Sequence, residues 1–194
     1  MMCRYPFHHK DLKIDLPCGQ CMHCRINKKR EWTHRIMLES MCHSDNRFVT
    51  LTYNDAHLVF NNKDPILHYP DVQKYFKRLR KAAGPFRFYA VGEYGEKSQR
   101  PHYHFALFGA RPAHLEHLAD CWSDDLGPMG IVHVGNLTFD SAAYIAGYVT
   151  KKMTCVDDPR LEGRPPEMCR MSRRPGIGAL YTEKIAEQLG PPRS

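Results

Sequence analysis

Residues 100–109, Arg-Pro-His-Tyr-His-Phe-Ala-Leu-Phe-Gly, constrain the fold more than any other stretch of the chain. Pro101 opens the run, Gly109 closes it, and the aromatic and aliphatic residues between them suit a pleated strand. Side chains alternate faces along a strand, so His102 and His104 point the same way. Two imidazoles side by side on a rigid strand make half of a metal site. The run Phe86-Arg87-Phe88-Tyr89-Ala90-Val91-Gly92 is a second strand, and it leads to Glu93. Between the two, Gly95-Glu96-Lys97-Ser98-Gln99 is a turn, so the strands pair as a hairpin with Glu93 near the base of the histidine strand. A carboxylate beside two imidazoles completes a three-ligand set with open positions. A P-loop needs a glycine where Glu96 stands before Lys97, which argues against ATPase or helicase activity in this chain.

The rest of the chain supplies partners for that hairpin. Arg47-Phe48-Val49-Thr50-Leu51-Thr52-Tyr53 reads as a strand with Thr50 and Thr52 on one face and Val49 and Leu51 on the other. Residues 54–69 read as loop. Asp71 caps a helix with Val72, Tyr75, Phe76 and Leu79 at core spacing, ended by Gly84-Pro85. Residues 113–126 have the spacing of an amphipathic helix (Leu115, Leu118, Trp122, Leu126), and Ile131-Val132-His133-Val134 is a short strand with His133 lacking a partner. After Lys152 the chain is rich in Pro, Gly and Arg and reads as an irregular basic loop, followed by a short helix over residues 179–189.

The N-terminal segment is built differently. Cys18-x-x-Cys21-x-x-Cys24 places three thiolates on a turn tightened by Gly19, a spacing that suits tetrahedral zinc in a structural role. The fourth ligand comes from elsewhere: Cys3 first, with His8, His9 and His23 as alternatives. Lys28 stands where an iron–sulfur pattern needs another cysteine. Nothing in the sequence argues for export, so the eight cysteines fit a reduced cytosolic protein better than a disulfide framework. From Arg25 to Met41 the pattern is helical, with Lys28, Lys29, Arg30 and Arg35 interspersed. Arg25, Lys28 and Lys29 either grip phosphates or form a solvated face.

The net charge of +7 favours a polyanionic partner, nucleic acid or an anionic membrane surface. No apolar run approaches spanning length and none opens the chain as a signal would, so a membrane is the poorer choice. Residues 140–152 carry the second informative pattern. With Asp140 as N-cap, Ala142, Ile145, Ala146, Val149 and Met153 form an apolar stripe, while Tyr144, Tyr148 and Lys151 fall on the opposite side. The two phenols lie one turn apart. A phenol becomes a nucleophile once something stabilises its oxyanion, and Lys151 sits on the same side.

Together these motifs resemble the HUH endonucleases, and more closely the replication initiators of gokushovirus-type microviruses, phages with single-stranded DNA. Phe48 to Tyr53 is similar to the family's first motif, Pro101-His102-Tyr103-His104 to the second, and Tyr144-x-x-x-Tyr148-x-x-Lys151 to the third in its two-tyrosine form. The leading cysteines and Ser172-Arg173-Arg174-Pro175-Gly176 also look like the phage branch. The resemblance implies an α+β fold, HUH or RRM-like, in which helices flank a central antiparallel sheet. Residues 1–45 would form the zinc segment and basic helix packed on the core, and 46–194 the endonuclease core with its C-terminal extension. It further implies Mg²⁺ or Mn²⁺ held by His102, His104 and Glu93, and attack by Tyr148 or Tyr144 assisted by Lys151. No ATP is required. The substrate is single-stranded or extruded origin DNA, contacted by Arg25, Lys28, Lys29, Lys152, Arg173 and Arg174. Host replication proteins are the partners and the bacterial cytoplasm is the location. A transposase or relaxase of the same superfamily, a non-catalytic zinc protein that binds nucleic acid, and a metal-dependent hydrolase are the alternatives.

Overall fold

The computed structural model describes residues 2–148 and 159–190. A hairpin of β1 (Phe7–His9) and β2 (Ile14–Leu16) leads through the cysteine turn into α1 (Met22–Ser40). β3 (Asn46–Thr52) follows, then a 3-10 turn over Asp55–His57 and a small hairpin, β4 (Phe60–Asn61) with β5 (Asp64–Pro65). Next come α2 (Tyr69–Ala83), β6 (Arg87–Tyr94), β7 (Pro101–Phe108) and α3 (Pro112–His117). A second small hairpin, β8 (Ser123–Asp124) with β9 (Gly127–Pro128), precedes β10 (Val132–Asn136), α4 (Phe139–Gly147), β11 (Met168–Met171) and α5 (Ala179–Leu189).

The central sheet has the order β10-β3-β7-β6-β11, with every neighbour antiparallel and the histidine strand β7 in the middle. This is the α+β architecture expected from the sequence. Strand alternation divides the core in two. Val49, Leu51, Tyr103, Phe105 and Leu107 pack with α2 residues Val72, Tyr75, Phe76 and Leu79 on one face. Tyr89, Val91, Ala106 and Phe108 pack with Ile36 of α1 and Ala142, Ile145 and Ala146 of α4 on the other. Because the period is two, the histidines must lie on the α4 face once Tyr103 and Phe105 enter the α2 face.

One buried charge ties these layers together. Glu39 of α1 is fully enclosed, and its carboxylate accepts from Arg87 of β6, from His43 and from the backbone N–H of Gly178. Burial alone would raise its pKa, but these three donors outweigh it and hold the carboxyl at about 2. The same guanidinium donates to the carbonyls of Arg174, Pro175 and Gly176, which fastens the 172–178 loop to the start of β6.

Several local expectations are corrected. The helix expected over 113–126 ends at His117. Trp122 turns into the core, and its indole N–H donates to the Thr52 carbonyl at 2.8 Å, so the apolar spacing came from core residues on a turn. Asp140 is not the N-cap of α4: Thr138 is, and its hydroxyl accepts the Ser141 N–H at 3.2 Å. Nor does Asp71 cap α2, which starts at Tyr69. Asp71 is buried and accepts from the Tyr53 hydroxyl at 2.8 Å. The stretch read as irregular after Lys152 contains β11, four residues that are a strand because β6 offers them an edge.

Candidate functional site

Three elements bring the predicted residues together. Glu93 on β6 stands directly across from His102 on β7, and α4 lays Tyr144 over both strands. The Nε2 of His104 lies 2.8 Å from Glu93 Oε1, and the Tyr144 hydroxyl donates to that same oxygen at 2.8 Å. A carboxyl oxygen cannot donate when ionised, so Nε2 carries the imidazole proton. Nδ1 then accepts from the Thr50 hydroxyl at 2.9 Å. The ring of Tyr144 meets His104 edge-on, with centroids 5.3 Å apart, and meets Tyr148 edge-on at 5.2 Å. Phe48 stacks on His104 from the β3 side at 5.7 Å.

Glu93 and His104 are buried, and Tyr144 is 46% exposed. Burial first, and then the bond to Glu93, raise the Tyr144 pKa above its ordinary value of 10, so the phenol keeps its proton at neutral pH. Burial and the neighbouring His104 hold His102 below 6.5, which leaves its imidazole neutral. The His102 ring rests on Gly95, where an added Cβ would come within 3.1 Å of Cε1. The cleft that these groups line has a volume of about 420 Å³ and is bordered by Glu96, Lys97 and Ser98 from the β6–β7 turn.

As a metal seat the donor set is partly assembled. Two adjacent ligands of a hard divalent cation lie about 3 Å apart at bond lengths near 2.1 Å, and His104 Nε2 and Glu93 Oε1 are separated by 2.8 Å. His102 stands wider, with its ring parallel to that of His104 and the centroids 6.4 Å apart.

The cysteines are gathered more tightly. The Sγ atoms of Cys3 and Cys21 are 3.9 Å apart, those of Cys18 and Cys24 3.9 Å, and those of Cys21 and Cys24 3.5 Å. A tetrahedron of sulfurs at the zinc–thiolate bond length has edges of about 3.8 Å. Among the described residues this is the one group of three or more potential ligands whose atoms all lie within 4.8 Å, and it can hold a metal ion. Backbone N–H groups of Arg4 and Cys24 draw Cys21 down to about 6. The histidine alternatives are engaged elsewhere: His8 with Asp15, His9 with the Leu12 N–H, and His23 with the Met2 carbonyl.

The other predicted residues divide. Lys29 runs along Gly147 at the end of α4, next to Tyr148, and Lys28 is close enough to lower the Cys169 thiol electrostatically against a larger rise from burial. Arg25 is half-buried on the same helix. Arg173 and Arg174 are exposed beside Arg87, six residues along β6 from Glu93 and so about 20 Å from the cleft. Lys151 and Lys152 lie outside the described residues. Tyr148 departs from the helical-wheel expectation. It is 6% exposed and packs in the same cluster as Ala142 and Ile145. Sequence reasoning missed Thr50 and Lys97 as site residues. The alternation that put Thr50 on one face of β3 was the available signal for the first. The second lies in a turn whose residues do not fit a P-loop, and no other local pattern marks it.

Residues 46–153 match the family model for replication-associated proteins of the ORF2 type. The chain belongs to this family. The match opens at β3 and takes in the histidine strand and both tyrosines, which bears out the resemblance to microvirus initiators. Among the family's phage proteins, replication-associated protein ORF2 of Spiroplasma virus 4 is 35% identical over 97% of this chain and 63% of its own length. Replication-associated protein VP4 of Bdellovibrio phage phiMH2K is 33% identical over 89% of this chain and 59% of its own. Replication-associated protein ORF4 of Chlamydia phage 1 is 30% identical over 74% and 40%. The chain thus spans less than two thirds of the length of these curated relatives. No solved structure matches the chain significantly. No helix among the described residues is long and apolar enough to cross a membrane.

Proposed function

We propose that this chain is a replication initiator that nicks and rejoins single-stranded DNA by tyrosine transesterification. The observation that carries the reading is the shared Glu93 oxygen: a helix-borne phenol and a strand-borne imidazole meet at one atom, each at 2.8 Å. A backbone phosphate entering the cleft reaches both. The Tyr144 oxygen forms the new P–O bond and its proton leaves along the hydrogen bond to Glu93. The 3′-oxygen departs with its electron pair and takes up a proton, which leaves a 5′-phosphotyrosine and a free 3′-hydroxyl to prime synthesis. The covalent link conserves the phosphodiester energy, so ATP is not needed. Tyr148, whose ring touches that of Tyr144, makes the second attack that ends one round and starts the next. Lys97 and Lys29 border the cleft and the helix end with positive charge suited to the DNA backbone.

Glu93 and His104, with His102 beside them, fit a divalent cation of the Mg²⁺ or Mn²⁺ kind, which when bound supplies Lewis-acid polarisation of the phosphate. Thr50 positions His104 for that role. With Nε2 given to a cation, Nδ1 must carry the proton, and the Thr50 hydroxyl can accept it as readily as it now donates. Thr50→Val keeps the shape and removes this partner, so it raises the Mn²⁺ concentration needed for adduct formation about 10- to 100-fold. An unchanged Mn²⁺ dependence would show that Thr50 has no such part.

The central test incubates the chain and labelled single-stranded origin DNA with Mn²⁺ and runs a denaturing gel. A slow band that survives denaturation and disappears on protease treatment is expected. Cut DNA with no attached protein would instead assign hydrolysis. We also propose that Cys3, Cys18, Cys21 and Cys24 hold zinc structurally. Elemental analysis of protein purified without chelator should find about one zinc per chain, and Cys21→Ser should remove it and loosen the β1–β2 hairpin. A metal-free protein with an intact hairpin would count against zinc.

A further inference from the structure

We propose that a second cleft, which shares Tyr148 with the first, seats the base of an unpaired nucleotide from the DNA strand crossing the site. The proposal rests on the single-stranded DNA reading above. This cleft has a volume of about 460 Å³ and lies between the start of α2 and the edge strand β11, lined by Leu67, Tyr69, Tyr148, Pro165, Pro166 and Arg170. Its size falls within the range of about 300–1,000 Å³ typical of small-ligand sites.

The lining has the chemistry of a base site. Tyr69 offers an aromatic ring, and the Arg170 guanidinium sits over it at 5.2 Å. Aromatic rings and guanidinium planes are the two surfaces on which unstacked bases are held. Pro165 and Pro166 add flat apolar walls without a backbone N–H to satisfy. Arg170 is exposed at the rim, and Lys28 approaches the Cys169 wall, so the phosphates flanking such a base meet positive charge.

The cleft is also held open rather than left to chance. The Tyr94 hydroxyl accepts the Leu67 N–H at 3.2 Å and donates to the Pro165 carbonyl at 2.8 Å, which joins the two lips. The Tyr103 hydroxyl, from the residue between the paired histidines, accepts the His68 N–H at 2.7 Å. Gly92 completes the floor: a Cβ there would come within 2.9 Å of Met168 and 3.0 Å of Leu67. Behind the Pro165 lip, Arg164 covers the Tyr94 ring at 4.7 Å and donates to Gln99 at 3.1 Å. Gln99 belongs to the turn that borders the histidine cleft. One set of strand tyrosines therefore fixes the base cleft, and the strands that carry them present His102, His104 and Glu93 on the opposite face.

The test compares two labelled probes with the full chain: an oligonucleotide of about 12 thymidines and an abasic deoxyribose-phosphate strand of equal length. The thymidine probe should bind more tightly. Tyr69→Ala should weaken it about 10- to 100-fold while shifting the abasic probe far less, and Tyr69→Phe should restore the difference. An unchanged ratio between the probes in Tyr69→Ala overturns the proposal. A second arm needs no variant: the same strand carrying 5-iodouracil, irradiated on the unaltered protein, should cross-link to peptides containing Tyr69 or Tyr148. Cross-links confined to other peptides overturn it as well. The two readings separate cleanly. A base-dependent Tyr69 effect without any covalent adduct removes the nicking chemistry and keeps the cleft, whereas adducts with no Tyr69 effect remove the cleft alone.

Discussion

Replacing both Tyr144 and Tyr148 with Phe abolishes the covalent adduct with single-stranded DNA, a loss of at least about 10³-fold, while non-covalent DNA binding persists. Phe keeps the ring contacts with His104 and between the two aromatic residues, so the core around α4 stays packed. Only the hydroxyl that would become the phosphate ester is gone. The single variants should differ. Tyr144→Phe removes the hydroxyl that lies on Glu93 and should lose most of the first nick. Tyr148→Phe should nick once and fail to transfer the strand. Gel detection of the adduct beside fluorescence anisotropy of the same labelled strand measures both properties. An adduct that survives the double change would end the tyrosine mechanism.

The second large effect concerns stability. Glu39→Ala leaves the Arg87 guanidinium, the His43 ring and the Gly178 N–H without their shared acceptor inside the protein. Breaking a buried ion pair from one side costs about 3–5 kcal/mol, which for a chain of this size lowers the melting temperature by roughly 6–20 °C. The loss also has a pH signature. The folded carboxyl sits at about 2 against an ordinary 4.5, so its contribution is complete above the unfolded value and is lost as pH falls toward the folded one. The gap in unfolding free energy between the parent and Glu39→Ala should therefore be widest near neutrality and narrow between about pH 5 and 2. Denaturant melts of both proteins at pH 7 and pH 3 read this directly. A gap that is constant with pH would mean that Glu39 acts by packing alone.

Much of the site could be read from local pattern. Alternation placed His102 with His104 and Thr50 with Thr52, because strand geometry leaves no other choice once one face is apolar. The two-residue gaps among Cys18, Cys21 and Cys24 marked a shared ligand, and Glu93 followed from a hairpin whose turn is short. The errors arose where packing overrode local spacing. Trp122 satisfies a helical period yet sits on a turn, because its indole is drawn to the Thr52 carbonyl. Tyr148 looks solvent-facing on a helical wheel, but β11 and α1 close over that side of α4. The residues of β11 carry no strand signal of their own and pair only because β6 presents an open edge.

Short-range pattern supplied the inventory: a paired-histidine strand, a carboxylate one hairpin away, two phenols a helical turn apart, and four cysteines at ligand-like intervals. Each depends on separations of a few residues, where backbone periodicity settles direction. Convergence came from packing alone. It put the Tyr144 hydroxyl, 51 residues from Glu93 in the chain, on the same oxygen that His104 uses. It enclosed Glu39 with an arginine 48 residues away, and it opened a cleft between α2 and β11 that no local stretch encodes. Such contacts depend on how sheet faces and helices pack across the whole chain, and residue spacing carries no record of them.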